Sequence, residues 1–172
     1  MTGASGEPRG VERVFSGAVL TLELEDWGDP YRHEVVRHPG AAGVLPITGG
    51  GDVLLVRQFR PAVRSLLTEI PAGLLDVRDE DALTCAAREL FEETGYRHET
   101  IEFLGGYYST AGFSDEYVHL FVARTRADPE GEPEEGITVV REPREAMVSA
   151  ARAGRVRDVK TALALLMAEG RM

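Results

Sequence analysis

Cysteine is almost absent from this chain of 172 residues, where Cys85 stands alone. One thiol excludes an internal disulfide framework and suits a reducing compartment. No histidine neighbours Cys85 in the sequence, so it reads as a small core filler rather than a nucleophile. Positive charge is also scarce. Nineteen Lys and Arg face 29 Asp and Glu, and the net charge of −10 argues against a nucleic-acid backbone or an anionic membrane as the main partner. Acidity is no bar to a phosphate substrate that arrives with metal ions. No apolar run approaches the length of a membrane span, and the start has no apolar signal-peptide core, so a soluble, cytoplasmic protein is the expectation. Repeats and low-complexity tracts are missing too. What is present is ordinary globular composition, 43% hydrophobic, in a chain long enough for one well-buried core.

Against that background one stretch stands out, Glu69 to Tyr96, and within it Arg88-Glu89-Leu90-Phe91-Glu92-Glu93-Thr94-Gly95-Tyr96. On a helix, Glu89, Glu92 and Glu93 lie at i, i+3 and i+4, so three carboxylates share one face. Their mutual repulsion calls for a cation, and hard carboxylate oxygens suit Mg²⁺ or Mn²⁺. A solvated acidic helix face is the plainer reading of such a cluster. The helix is expected to start near Asp79-Glu80-Asp81, to pack Leu83, Ala87 and Leu90 against a sheet, and to stop at Gly95. Ahead of it, Pro71-Ala72-Gly73-Leu74-Leu75 reads as a tight loop.

Elsewhere the chain is mostly strand. Residues 1–10 are small and polar and read as a flexible leader. In Val19 to Glu25, Leu20, Leu22 and Leu24 alternate with Thr21, Glu23 and Glu25, which predicts a half-buried strand with the leucines inward. A turn at Trp27-Gly28-Asp29-Pro30 leads to a partner strand over Tyr31 to Arg37. His33 and His38 share no metal spacing and read as strand-surface residues. Gly43 to Ile47 and Val53 to Phe59 form the next hairpin around Thr48-Gly49-Gly50-Gly51-Asp52. Arg57 and Arg60 end the second strand; each suits a phosphate or a salt bridge to one of the many acids. Further strands are expected at Ile101 to Tyr108, Tyr117 to Ala123 and Ile137 to Val140. Between the first two lies a loop ending in Asp115 and Glu116, and Glu134 and Glu135 precede the third. His119 has no evident partner. Two helices follow, from Pro143 to Gly154 and from Asp158 to Gly170, with Met147 and Met167 as core filling.

The stretch around Arg88 resembles the Nudix box, G-x5-E-x7-R-E-U-x-E-E-x-G-U with U a bulky apolar residue. Gly73 matches the first glycine, and Arg88 to Tyr96 match the whole second half. Between Gly73 and Arg88 the chain is one residue longer than the pattern. The middle acid is then Asp79 or Glu80, and Glu80 keeps the spacing to Arg88. Arg57-Gln58-Phe59-Arg60-Pro61-Ala62-Val63, Glu69-Ile70-Pro71-Ala72-Gly73 and Ala111-Gly112-Phe113-Ser114-Asp115-Glu116 are similar to the ADP-ribose pyrophosphatase branch, from roughly Val11 to Leu166.

That resemblance implies an α+β fold, the Nudix α/β/α sandwich of a mixed sheet flanked by helices, with an extra N-terminal antiparallel β unit. The β unit is expected over residues 11–38, exchanged between the chains of a homodimer, and the hydrolase domain over 39–172. The implied activity is metal-dependent cleavage of ADP-ribose to AMP and ribose 5-phosphate. Glu89 and Glu93 with the Ala72 carbonyl would hold Mg²⁺ (or Mn²⁺), Glu92 would assist a second ion, and Arg88 would brace the glutamates. Glu116, or failing that Glu135, would serve as base. Arg57, Arg60, Asp76 and Glu80 are the candidates on the substrate side. Another nucleoside diphosphate-linked substrate (a different sugar, a dinucleoside polyphosphate or NADH) stays open, as does a non-catalytic nucleotide sensor. Loss of a metal carboxylate would favour the sensor, and none is lost here.

Overall fold

The computed structural model describes residues 6–171. Its chain falls into two compact units, one running to Gly40 and including Tyr108–Tyr117, the other holding Ala41–Tyr107 and the chain from Val118 onward. Among the described residues no helix is long and apolar enough to cross a membrane.

The first unit is an antiparallel sheet of β1 (Gly10–Ser16), β2 (Thr21–Asp26) and β3 (His33–Arg37), in that order. The first five residues of the leader expected over 1–10 lie outside the described residues; Arg9 already donates its N–H to the Asp26 carbonyl at 2.7 Å. Strand β2 corrects the expected polarity. Glu23 and Glu25 are its buried positions, whereas Leu22 and Leu24 are half-buried and Leu20 is exposed. A cation explains the reversal: Arg37 bonds to both glutamates, through Nε to Glu23 at 2.9 Å and through Nη2 to Glu25. Trp27 Nε1 also donates to Glu25, at 2.8 Å. Alternation located the strand, but paired charges decided which side turns inward. The loop after Tyr108 docks on β3, with Val36 N–H donating to Phe113 at 2.7 Å and Asp115 N–H to Val36 at 3.2 Å.

The second unit is built on a mixed sheet. Strands β4 (Ala41–Ile47), β5 (Asp52–Arg60), β8 (His98–Tyr108), β9 (Tyr117–Thr125) and β10 (Thr138–Pro143) run in the order β10-β5-β4-β9-β8. Two short strands, β6 (Ser65–Glu69) and β7 (Ala72–Leu74), pair with β5 and β4. The tight loop expected at 71–75 is therefore corrected in part: residues 72–74 pair antiparallel with 41–43, which satisfies their backbone groups. Strand alternation divides the core between two helical layers. Ala42, Val44, Phe121 and Ala123 meet Cys85, Ala86 and Leu90 of α1 (Ala82–Thr94) on one face. Leu45, Ile47, Leu120 and Val122 meet Val148 of α2 (Arg144–Arg152) and Ala164 and Leu165 of α3 (Val159–Met167) on the other. Met147 and Met167 pack against this second cluster. Helices on both faces of a mixed sheet are the expected α/β/α sandwich.

Helix α1 has the anticipated ends. Asp81 caps it by accepting the Thr84 N–H at 2.8 Å, and Gly95 closes it in the left-handed region with φ 76°. Its buried stripe is Cys85, Ala86 and Leu90, not Leu83, Ala87 and Leu90; Leu83 is exposed. Small residues at 85 and 86 let the helix approach the sheet on that side. The resulting rotation turns Glu93 inward.

Candidate active site

Glu93 is the residue on which this site turns. It is 6% exposed, although glutamate rarely tolerates burial without a partner. The Ala72 N–H donates to its Oε2 at 3.1 Å, and Gln58 Nε2 approaches Oε1 at 3.5 Å. No cation bonds it among the described residues. Burial, and to a lesser degree the charge of Glu89, pushes its carboxyl up to about 7, against the lowering pull of the Ala72 N–H and Arg60.

Glu89 lies one turn earlier and is also raised, chiefly by burial. Gly73 explains how it fits: a Cβ at that position would stand 1.9 Å from Glu89 Oε1. Only a residue without a side chain lets the carboxylate lie against β7. Arg88 is the shared counter-ion. Its Nε and Nη2 donate to the two oxygens of Glu80 at 2.9 Å each, and its Nη1 donates to Glu89 at 2.5 Å and Glu92 at 2.8 Å. The guanidinium is held firmly in its charged form, first by Glu80. Both Glu80 oxygens are thus engaged by Arg88. Asp79, the other candidate for the middle acid of the motif, sits in the turn at φ 62°.

Hard oxygen donors, two of them raised by burial beside one another, fit a divalent cation. Among the described residues no three acids, histidines or cysteines already converge as a ready coordination shell, since Arg88 ties Glu89 and Glu92 together. Cys85 is inert here. Burial pushes its thiol up to about 12, and its Sγ donates to the Leu74 carbonyl at 3.4 Å.

The two arginines of β5 part company. Arg60 lies on the strand face of Gln58 and forms a bidentate pair with Glu69, both distances 2.8 Å. Its Nη1 has no partner among the described residues. Arg57 projects from the opposite face, with Nε 3.4 Å from Thr68 Oγ1, so strand alternation separates it from the carboxylates. Asp76 is exposed in the loop before α1.

In the unit that contains β1–β3, Glu116 accepts from Ser109 Oγ, and its N–H donates to Ser114 Oγ at 3.2 Å. Its neighbour Asp115 accepts the His38 N–H at 2.8 Å and Arg37 Nη1 at 3.1 Å. His38 is corrected from a surface residue. Its side chain is 14% exposed, Nδ1 accepts from the Gly40 N–H at 3.0 Å, and Nε2 stands 4.0 Å from Glu116 Oε1. Trp27, His33, Arg37, Tyr108, Phe113 and Asp115 help to line a cavity of about 560 Å³ in this unit. Aromatic faces beside acids and an arginine are the chemistry a nucleobase binds.

Glu134 was not singled out by its sequence. Its N–H donates to the Glu92 carbonyl at 3.0 Å, and its charge helps to raise Glu89. The acidic loop is pinned at the end of α1, where Glu130 N–H donates to the Gly95 carbonyl at 2.8 Å. The tandem Glu134-Glu135 was the only signal, and it could not tell which acid turns toward the helix. Glu135, like Glu134, is exposed.

Comparison with known proteins agrees with this construction. The family model described as NUDIX domain matches residues 37–165. A methanol dehydrogenase activator from Bacillus methanolicus is 42% identical over 117 residues, 66% of this chain and 63% of that protein. An ADP-ribose pyrophosphatase from Bacillus subtilis (strain 168) is 42% identical over 116 residues, 65% of this chain and 62% of that protein. The matched part of this chain thus spans under two thirds of the length of these curated relatives. The crystal structure of an ADP compounds hydrolase superposes with a TM-score of 0.77 at 22% identity, covering 98% of this chain and 96% of that one.

Proposed function

This chain belongs to the Nudix family, and from that membership we propose that it hydrolyses the pyrophosphate bond of ADP-ribose to AMP and ribose 5-phosphate, with Mg²⁺ or Mn²⁺ as cofactor. The observation that carries the reading is Glu93, buried beside Glu89 with no cation bonded to it among the described residues. Similarity to an ADP-ribose pyrophosphatase supports the substrate.

Glu89, Glu93 and the Ala72 carbonyl would hold the ion, with Glu92 assisting a second. A divalent cation there neutralises diphosphate charge and makes water a better nucleophile at neutral pH. Arg60 holds a phosphate oxygen through the donors that Glu69 leaves unused. Arg88 keeps the glutamates aligned. A carboxylate of the loops, Glu116 or Glu135, takes the proton of the attacking water; Glu134 joins them as a third choice on its position. Water oxygen bonds to one phosphorus, the bridging P–O bond breaks, and the two phosphates part as the two products.

The same proposal covers assembly and location. Val11, Val14, Phe15 and Val19 of the N-terminal β unit are 46–55% exposed, and exposed apolar side chains here favour a homodimer through this unit. A cytoplasmic location fits the lone cysteine. Turnover of ADP-ribose, a GDP-sugar, a dinucleoside polyphosphate and NADH with Mg²⁺ tests the substrate. ADP-ribose is expected to give the highest kcat/KM; a preference for any of the others refutes the assignment, and binding without turnover would make the protein a sensor.

A further inference from the structure

Arg60 is held from behind by a buried chain of bonds that the proposed reaction does not use. Glu69, 1% exposed, lies between two cations. Arg60 takes both its oxygens at 2.8 Å, and Lys160 Nζ approaches Oε2 at 3.4 Å. Lys160 also donates to Asp158 Oδ1 at 2.7 Å. Asp158 Oδ2 in turn accepts the N–H and the hydroxyl of Thr161, at 2.9 and 2.6 Å. The circuit closes on the backbone beside Glu69, where Ile70 N–H donates to Thr161 Oγ1 at 2.7 Å.

Helix stability alone does not account for Lys160. Asp158 already caps α3, and a lysine in the first turn opposes the helix dipole. Its side chain is only 20% exposed, which adds a desolvation cost. Charge pairing does account for it. Without Lys160, Asp158 would be left with Thr161 and no bonded cation, and Glu69 with Arg60 alone. With it, each carboxylate has its own cation, and Glu69 serves as a fixed fork for Arg60.

We infer that Lys160 is a positioning residue: through Glu69 it fixes the Arg60 guanidinium that holds a substrate phosphate. The inference rests on the hydrolase reading for the phosphate, and on geometry alone for the brace.

A double-mutant cycle tests it. ADP-ribose binding is measured in EDTA, where no turnover intervenes, for wild type, Arg60→Ala, Lys160→Met and the double variant. Each single change should weaken binding by about tenfold, the effect of losing one charge-assisted hydrogen bond. The double variant should be no weaker than Arg60→Ala, because Lys160 acts through Arg60. With Mg²⁺ restored, Lys160→Met should raise KM while kcat stays within about twofold, and Lys160→Arg should recover most of the loss. Losses that add in the double variant, or ADP-ribose binding unchanged in Lys160→Met, would overturn the inference. A second readout needs no substrate: the ¹⁵N signal of the Arg60 Nε–H, assigned by its absence in Arg60→Ala, should exchange slowly in wild type and fast in Lys160→Met. An unchanged signal refutes the brace. If wild type does not bind ADP-ribose at all, the hydrolase reading fails while this signal still decides the brace. Lys160→Gln takes the place of Lys160→Met should the latter not fold.

Discussion

Replacing Glu93 by glutamine should remove a pH dependence of stability that metal-stripped wild-type protein carries. Burial raises the Glu93 carboxyl from its ordinary value of 4.5 to about 7. Between those values the folded chain keeps a proton that the unfolded chain has released. Stability is therefore highest below the ordinary value, falls as pH rises through that window, and levels off above about 7. A difference of this size corresponds to roughly 3 kcal/mol at most. For a chain of this length that is about 6–12 °C in Tm. Glutamine keeps an acceptor for the Ala72 N–H and never ionises, so the variant should match wild type near pH 5 and exceed it near pH 8. Carboxylates other than its coupled neighbour Glu89 titrate alike in both proteins and cancel in the difference. Urea melts in EDTA at the two pH values measure it. Adding Mg²⁺ at pH 8 should stabilise wild type and leave the variant nearly unchanged. Parallel pH profiles for the two proteins would refute the reasoning, because they would mean that Glu93 is not held in a desolvated, cation-poor place.

Three further outcomes follow from the geometry. Gly73→Ala puts a methyl group onto Glu89 Oε1 and should lower kcat by roughly 10²-fold or more, with a far smaller loss of stability; normal turnover in the purified variant would contradict the close approach. Among Glu116→Gln, Glu134→Gln and Glu135→Gln, the one that removes the base should lose about 10²- to 10⁴-fold in kcat with substrate affinity nearly intact, and steady-state kinetics on all three identifies it. Deleting residues 1–25 should give a monomeric or insoluble, poorly active protein, and a well-folded active monomer by light scattering would rule out assembly through the β unit.

Much of the fold was legible because its signals are local. Asp81 and Gly95 mark the ends of α1, and Thr48 to Asp52 mark the β4–β5 turn, through chemistry carried by the residues themselves. The motif placed Glu89, Glu92 and Glu93 on one helix; Arg88 bonds to Glu89 and Glu92, while Glu93 has no bonded cation among the described residues. What stayed hidden depends on partners distant in sequence. Alternation in β2 could not show that Arg37 draws Glu23 and Glu25 inward, against the preference of Leu22 and Leu24. Nor could it show which residues of α1 face the sheet, since Leu83 and Cys85 are both apolar and only packing chooses between them. His38 and Glu134 were missed for the same reason: each is placed by a loop that docks on a strand or helix far along the chain.

The most direct test of the central claim, that Glu89 and Glu93 form the metal platform, is a Mn²⁺ titration followed by electron paramagnetic resonance. Wild type should take up Mn²⁺ at a saturable site that competes with Mg²⁺, and the Glu89→Gln/Glu93→Gln double variant should lose that site while remaining folded by circular dichroism. Undiminished Mn²⁺ uptake by the folded double variant would contradict the account.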